Sequence, residues 1–487
     1  MKARLRSFSE FLKDRRDIFI SLILFTISIL AKIIFKDQVP PAYDEAAYSI
    51  CARNIADNGG WLNLYNSTDL FFFPPLFNWL GALLIKAGME QLSAVRTVSM
   101  VLSSGIPVMI YLLMSKAGAG FKSSIAASFV WIVLPGSFVY GVTGQAESPF
   151  IFFSLLSIWL LAISDRKYLN IVLSAFSLAI AVWFKETAVA FAPVLLFQMV
   201  LKKDTKGCAV WSSAFVLFIS PLLFQTFVPH HYDLFYEISN DLLNWNSASA
   251  VLPFSNIASI AGAGMSKTAA FAVFIVIVIS SVAVFRNNRD LPEVRSILLS
   301  NFVLIVFFML FPKKFEYYML PSVVFSLITL FLSISKRTAA VTFAVVVLSA
   351  VSVSGYGVRS AGWSGYNDIQ ALLKRAEIST PGAVIGTPTP HIQKYIISSK
   401  NMNISVYPLD FFAGSDPDNC KEREDRCILK NDYFLSDDEF FTVLFCKNWP
   451  VETENCDLEA MKTVIQKMEK IEKRSGFTLY KVLEKSR

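Results

Sequence analysis

Two adjacent carboxylates, Asp44 and Glu45, stand in VPPAYDEAAYSI (residues 39–50), soon after the apolar run IFISLILFTISILAKIIF of residues 18–35. The stretch carries two prolines and two tyrosines but no cation to neutralise the acids. A carboxylate at a partly desolvated interface gains basicity, which suits a general base, and a nearby metal or lysine takes that basicity away again. In a short helix lying on the membrane after Pro41, Asp44 and Tyr48 share a face one turn apart while Glu45 points elsewhere. The acids then sit near the positive end of that helix. The plainer reading of Asp44 is a cap or a solvated loop acid.

Other ionisable groups recur beside apolar runs. Glu147 lies in GQAESPF, Lys185 and Glu186 in WFKETA, His230 and His231 in VPHHYD, and Lys313, Lys314 and Glu316 in FPKKFEYYMLP. A lysine ammonium binds phosphate as a point charge. One such lysine is ordinarily an anchor or a snorkelling helix end, but three at one interface point to an anionic ligand. Arg96 faces the entry of an apolar stretch as either an anchor or a partner for one of the acids. The two histidines belong most simply at the headgroup boundary, with a metal or substrate role as the sharper alternative. FFFPPLFNWLGALLIKAGM, residues 71–89, has the aromatic load of an interfacial segment, with Pro75 suited to a first helical turn.

The elements that must position these groups are membrane spans. With 487 residues, 54% of them apolar, 43 phenylalanines and only 17% charged residues, the chain is not one soluble globule. Runs long enough to cross a hydrocarbon core lie near 18–35, 97–114, 123–140, 149–163, 169–184, 187–201, 208–227, 268–285, 296–311, 319–334 and 338–354, about eleven helices. The first is longer than a signal-peptide core and is followed by Lys36, Asp37 and Gln38, not by a small-residue cleavage site, so it reads as a retained anchor. With the N-terminus inside, the short inner segments hold 18 of the 27 Lys and Arg before residue 356. The tail then lies outside, and the acids and bases listed above gather on the outer side. The net charge of +7 is a topology signal and does not imply nucleic acid.

Residues 1–355 thus form a transmembrane domain and 356–487 a separate one, for which a small α/β fold is expected. GAVIGTPTPHIQKYIISSKNMNISVYP reads as strand, short helix and strand; DDEFFTVLFC as a further strand; and DLEAMKTVIQKMEKIEKR as a helix with charge pairs. Cys420, Cys427, Cys446 and Cys456 lie in this tail, where an oxidising compartment would join them in two disulfides of one of three connectivities. Zinc is the competing reading, although six and nine intervening residues do not match the usual short cysteine pairs. Cys51 and Cys208 read as buried thiols. GxGxxG, P-loop and HExxH patterns are absent, and AGAGFKSS lacks the phosphate-loop spacing.

Taken together, YDEAAYSICARNIADNGGW, FFFPPLFNWLGALLIKAGMEQLSAVR, GQAESPFIFF, AVWFKETAVAFAPVLL and KKFEYYMLPSVVFSLI, in that order and at those places, resemble the GT-C membrane glycosyltransferases. The likeness is to the clan of protein O-mannosyltransferases and lipid A aminoarabinose transferases, and it covers roughly residues 15–335. It implies a sugar donor on a polyprenyl phosphate, transfer on the outer face, and inversion at the anomeric carbon. It gives Asp44 the role of catalytic base, with Glu45 and Tyr48 in the same motif, and sets Glu147 at the second acidic position, although Ser148 stands where an Asp is frequent. Lys185 matches the family lysine, followed here by Glu186 in place of Gly. Lys313, Lys314 and Tyr317 or Tyr318 match the residues that contact the donor phosphate. A divalent ion held by Asp44 and Glu147 is a further expectation, since some members of the superfamily use one.

The expected protein is therefore a hexosyl- or pentosyltransferase of a bacterial inner membrane. Its acceptor is a hydroxyl of lipopolysaccharide, another envelope glycan, a lipid or a protein. A transporter would place its ionisable groups at the bilayer midplane within repeated halves, with Lys185 and Glu186 deep in the bundle. A non-enzymatic assembly or sensor protein would use the tail as its binding module.

Overall fold

The computed structural model describes residues 2–36, 43–58, 74–162, 167–224, 267–288, 292–310, 319–333 and 364–381, the strand segments 384–388, 405–409, 433–437 and 468–474, residues 477–483, and isolated positions between them. The chain divides into two compact units. One comprises Met1–Asp37, Phe72–Leu80 and Val95–Tyr356, the other Gln38–Phe71, Gly81–Ala94 and Gly357–Arg487.

The first unit is helical. Its elements are α1 (Lys2–Phe35), the start of α3 (Leu76–Lys86), nearly all of α4 (Gln91–Lys116), and α5 (Phe121–Val133), α6 (Pro135–Val142), α7 (Glu147–Ala162), α8 (Lys167–Phe184), α9 (Ala192–Leu201), α10 (Thr205–Leu222), α11 (Lys267–Asn288), α12 (Pro292–Leu310) and α13 (Leu320–Ser333). Three described helices are long and apolar enough to cross a bilayer by themselves: Arg15–Phe35 within α1, α4 and α10. Exposed Ile18, Leu22 and Ile34 on α1, Phe176 on α8, Leu217 on α10 and Ile279 on α11 give these helices the apolar outer surface that lipid requires.

The expected span at 123–140 is instead two helices, α5 and α6, bent by 61°. Pro135 brings no N–H and its ring excludes the helical conformation of the residue before it, so Leu134 is extended at φ −65°, ψ 124°. Ser137 then donates its hydroxyl to the Leu134 carbonyl at 2.9 Å. The expected span at 187–201 likewise opens as a 3-10 turn, Glu186–Phe191, before α9 begins. The stretch at 338–354 lies outside the described residues.

Inside this unit α7 and α8 pack side by side, joined by only four residues, and α10 also packs on α8. Small polar residues hold the three helices together. Ser157 Oγ donates to the Ser174 carbonyl at 2.8 Å, and Trp211 Nε1 donates to Ser174 Oγ at 3.2 Å. On the other side α13 packs on α11, α12 and α5, and α12 on α9.

The second unit holds α2 (Tyr43–Asn58), the helix α14 (Ser364–Ser379) and a five-stranded sheet. The strands are β1 (Val384–Pro388), β2 (Ser405–Leu409), β3 (Tyr433–Asp437), β4 (Met468–Arg474) and β5 (Phe477–Val482), in the order β2-β1-β3-β5-β4. β1 runs parallel to β2 and β3, whereas β5 is antiparallel to β3 and β4. α14 covers β4 and β5, burying Leu372, Leu373 and Ala376 together with Met468, Leu479 and Val482. The helix expected over residues 457–474 is corrected by β4: ladder pairing from Met468↔Val482 to Arg474↔Phe477 overrides a local spacing that suits a helix. Of DDEFFTVLFC only Asp437, the last residue of β3, is described. The four tail cysteines lie outside the described residues.

Leu479 is fully buried at the centre of β5. Leu479→Ala removes about 2–5 kcal/mol from this unit by leaving a cavity. Hydrogen exchange of the β3, β4 and β5 amides in the full chain is expected to accelerate, while that of α7 and α8 stays unchanged.

Candidate active site

The antiparallel hairpin of α7 and α8 brings the first residue of α7 beside the residue that follows α8. These are Glu147 and Lys185, and Lys185 Nζ donates to Glu147 Oε1 in an ion pair closed off from solvent. The two groups arise from separate local causes. Glu147 opens α7, where an acid complements the exposed N–H groups and positive end of the helix. Lys185 has extended backbone, φ −154°, ψ 127°, because the chain breaks there between α8 and the 3-10 turn. Both residues were expected in loops at the surface. The structure instead encloses them, while the neighbouring Glu186 is exposed.

Aromatic contacts fix the two residues before Lys185. Phe184 stacks on Phe153 of α7 at 5.6 Å and meets Phe77 of α3 edge-on at 6.4 Å. Trp183 lies 5.5 Å from Trp79 and donates its indole N–H to the Phe218 carbonyl at 3.1 Å.

The glutamate end is held by a short buried turn, residues 143–146. Gln145 N donates to the Thr143 carbonyl at 2.7 Å, and Ser148 Oγ donates to the Tyr140 carbonyl at 3.1 Å. A Cβ on Gly144 would come within 2.6 Å of Val95 Cγ2 and 3.1 Å of its carbonyl carbon, so only glycine lets the turn lie this close to α4. Ser99 Oγ reaches the Gln145 carbonyl at 3.4 Å. Two buried polar atoms, Gln145 Oε1 and Thr187 Oγ1, each two residues along the chain from a member of the ion pair, have no hydrogen-bond partner among the described residues. They retain capacity for a polar ligand.

The remaining candidates fall as follows. Arg96 is buried near the start of α4 and donates from Nη1 to the Lys36 carbonyl at 2.8 Å, completing the C-terminal end of α1. Asp44 lies in the first turn of α2, and its side chain is outside the described residues. Glu45 and Tyr48 are fully buried and, with Ser49 and Ala52, form one face of α2. The sequence reading set Glu45 apart from the face of Tyr48. The structure corrects this, because residues 45, 48, 49 and 52 follow the i, i+3, i+4, i+7 pattern of one helical stripe. Lys313, Lys314, Glu316, Tyr317, Tyr318, His230 and His231 lie outside the described residues. Cys51 is buried, which pushes its thiol pKa up, and Cys208 is partly buried.

For a divalent ion the described donor set is thin. Glu147 already receives the Lys185 ammonium, and no group of three or more His, Cys, Asp or Glu comes together among the described residues. One buried cation went unnoticed in the sequence: Lys32, inside the apolar run of α1. Its signal was a lysine with a serine one turn before it, Ser28, in an otherwise unbroken span.

The sequence profile of the family described as dolichyl-phosphate-mannose-protein mannosyltransferase matches residues 73–232, the segment that contains both Glu147 and Lys185. Among solved structures, ArnT from Cupriavidus metallidurans bound to undecaprenyl phosphate superposes with a TM-score of 0.60 at 13% identity, over 95% of this chain and 97% of that one. The apo form of the same protein gives 0.61 at 13% identity, over 97% and 98%. The apo Archaeoglobus fulgidus oligosaccharyltransferase gives 0.56 at 15% identity, over 87% of this chain and 70% of that one. No curated protein matches the chain at the level of sequence. The chain thus has the fold of the GT-C membrane glycosyltransferases, as its motifs led one to expect, and it is an integral membrane protein.

Removing one partner of a buried pair strands the other, at a cost of about 3–5 kcal/mol, whereas replacing both is far milder. Lys185→Met and Glu147→Gln are each expected to lower the thermal midpoint in detergent. The double variant is expected to recover most of the loss, and equal, additive losses would show that the pair is not coupled.

Proposed function

We propose that this protein is a membrane glycosyltransferase that moves a hexose or pentose from a polyprenyl-phosphate carrier to an acceptor hydroxyl on the outer face of a bacterial inner membrane, with inversion. The observation that carries this reading is the enclosed Glu147–Lys185 pair, which stores a lysine charge within the segment that has the mannosyltransferase sequence pattern. Support for the carrier comes from the full-length likeness to ArnT, whose structure holds undecaprenyl phosphate. In this reading residues 1–355 are the catalytic domain and 356–487 an extracytoplasmic α/β domain.

The chemistry is a displacement at the anomeric carbon. Asp44 accepts the proton of the acceptor hydroxyl, the acceptor oxygen bonds to the anomeric carbon, and the bond from that carbon to the phosphate oxygen breaks. The departing phosphate gains a negative charge, which Lys185, Lys313 and Lys314 balance, with Tyr317 or Tyr318 as hydroxyl donors. Glu45, Tyr48, Arg96 and Glu147 complete the substrate-binding set. Lys185 serves the leaving group best by exchanging Glu147 for phosphate, and a divalent ion between Asp44 and Glu147 is the alternative source of positive charge. Acceptors consistent with this chemistry are lipopolysaccharide, another envelope glycan, a lipid or a protein hydroxyl.

A transporter reading gains something from the burial of Lys185. It loses more from exposed Glu186 and from a counter-charge for the lysine at the meeting of helix ends.

The direct test incubates purified protein in detergent with a panel of polyprenyl-phosphate sugars and measures release of polyprenyl phosphate. Asp44→Ala is expected to cut turnover about 100-fold or more, the worth of a general base, with donor binding retained. Normal turnover by Asp44→Ala removes that residue from the base role. Lys185→Met, and separately Lys313→Ala with Lys314→Ala, are expected to weaken binding of polyprenyl phosphate by about 10- to 100-fold, the loss of one charge-assisted contact. Unchanged affinity in both would leave the phosphate without its cations.

A further inference from the structure

Lys32 lies one turn from the end of α1 and is 5% exposed. Its ammonium donates to Ser28 Oγ at 2.7 Å and to Ser104 Oγ of α4 at 3.3 Å, and among the described residues no carboxylate pairs with it. Ser104 passes its own proton to the Met100 carbonyl at 2.7 Å. Next to it, Ser103 Oγ is 3.0 Å from the Gly141 carbonyl in the last turn of α6. A Cβ built on Gly141 would stand 2.8 Å from Lys32 Cε and 3.0 Å from Ser103 Oγ, so the lysine stem fills the space that the glycine leaves. The lysine is therefore buried where α1, α4 and α6 meet.

We propose that Lys32 is a positioning residue: a cation built into the bundle that fixes the end of α6 and, through it, the turn that delivers Glu147. Three observations meet here. The last turn of a helix carries partial negative charge, and the lysine stem packs against Gly141 in the last turn of α6. Only residues 143–146 separate α6 from Glu147, so a shift at Gly141 passes directly to the acid. Arg96 ties the Lys36 carbonyl to α4 one turn further along α1, so α1 is pinned to α4 at two levels and α6 is clasped at the lower one.

The experiment is hydrogen exchange by mass spectrometry on the full chain in nanodiscs. Lys32→Met keeps the stem as far as the ε-carbon and discards the ammonium with its charge and donors. The amides of residues 143–148 are expected to exchange about tenfold faster, the loss of one or two buried hydrogen bonds, while those of α10 do not change. Gly141→Ala, which pushes on the lysine stem from the other side, is expected to give the same local pattern. Unaltered exchange at 143–148 in both variants overturns the proposal, and so does a uniform rise across all helices, which would mark general stability. The catalytic consequence rests on the glycosyltransferase reading: undecaprenyl phosphate should bind more weakly to Lys32→Met than to the unaltered protein. If the unaltered protein does not bind undecaprenyl phosphate but exchange at 143–148 changes as stated, the donor reading fails and the positioning role stands. If donor binding is intact in both proteins and exchange is unaltered, the positioning role alone fails.

Discussion

A lysine and a glutamate that share no sequence neighbourhood neutralise each other inside the helical unit, and this pairing sets the tolerance for everything around it. Removing one partner of a buried ion pair costs about 3–5 kcal/mol because the other charge is left uncompensated, so neither Lys185 nor Glu147 is comfortable without the other. The pairing needs a fixed register between α7 and α8. Each residue of a helix turns about 100°, and a slip of one would carry Glu147 off the face that meets Lys185. Ser157 and Ser174, hydrogen-bonded across the same two helices, lock that register further along the hairpin.

The same pairing explains how a buried lysine can be kept for binding. If the ammonium stood alone in the apo protein, an arriving phosphate would be paid for by a permanently strained fold. With Glu147 in place the ammonium has a counter-charge, and in the proposed function phosphate binding is an exchange of one oxygen anion for another at the same cation. The full burial of both side chains keeps the effective dielectric around the pair low. The groups that then matter are oriented beforehand, which is where electrostatic stabilisation of a leaving group is most effective.

How much of this was legible depended on whether the cause was local. Glu147 and Lys185 stood out because ionisable residues beside apolar runs are rare and costly. That they touch did not follow from either motif, since contact depends on helix pairing over 38 positions. Pro135 announced a break that span counting smoothed over. The stretch ending at Arg474 has helical charge spacing, yet its backbone is claimed by β5, a partner whose influence no short window contains. Asp44 and Tyr48 are one turn apart, which hides the fact that the buried stripe of α2 runs through Glu45, Tyr48, Ser49 and Ala52. Lys32 escaped because a single lysine barely lowers the hydropathy of so apolar a run.

The two enclosed lysines show how scaffold and site differ when both are buried cations. Lys32 donates to two hydroxyls, and its stem occupies the space that Gly141 leaves. Lys185 sits where the backbone leaves helical geometry, faces a carboxylate that another anion can replace, and has Gln145 Oε1 and Thr187 Oγ1 close by in sequence with hydrogen-bonding capacity still to fill. A cation whose partners are neutral and whose space is full gains nothing from a ligand. In the proposed function Lys185 exchanges its carboxylate for a phosphate bearing several oxygens. Burial alone would have ranked the two lysines together, and the chemistry of their partners separates them.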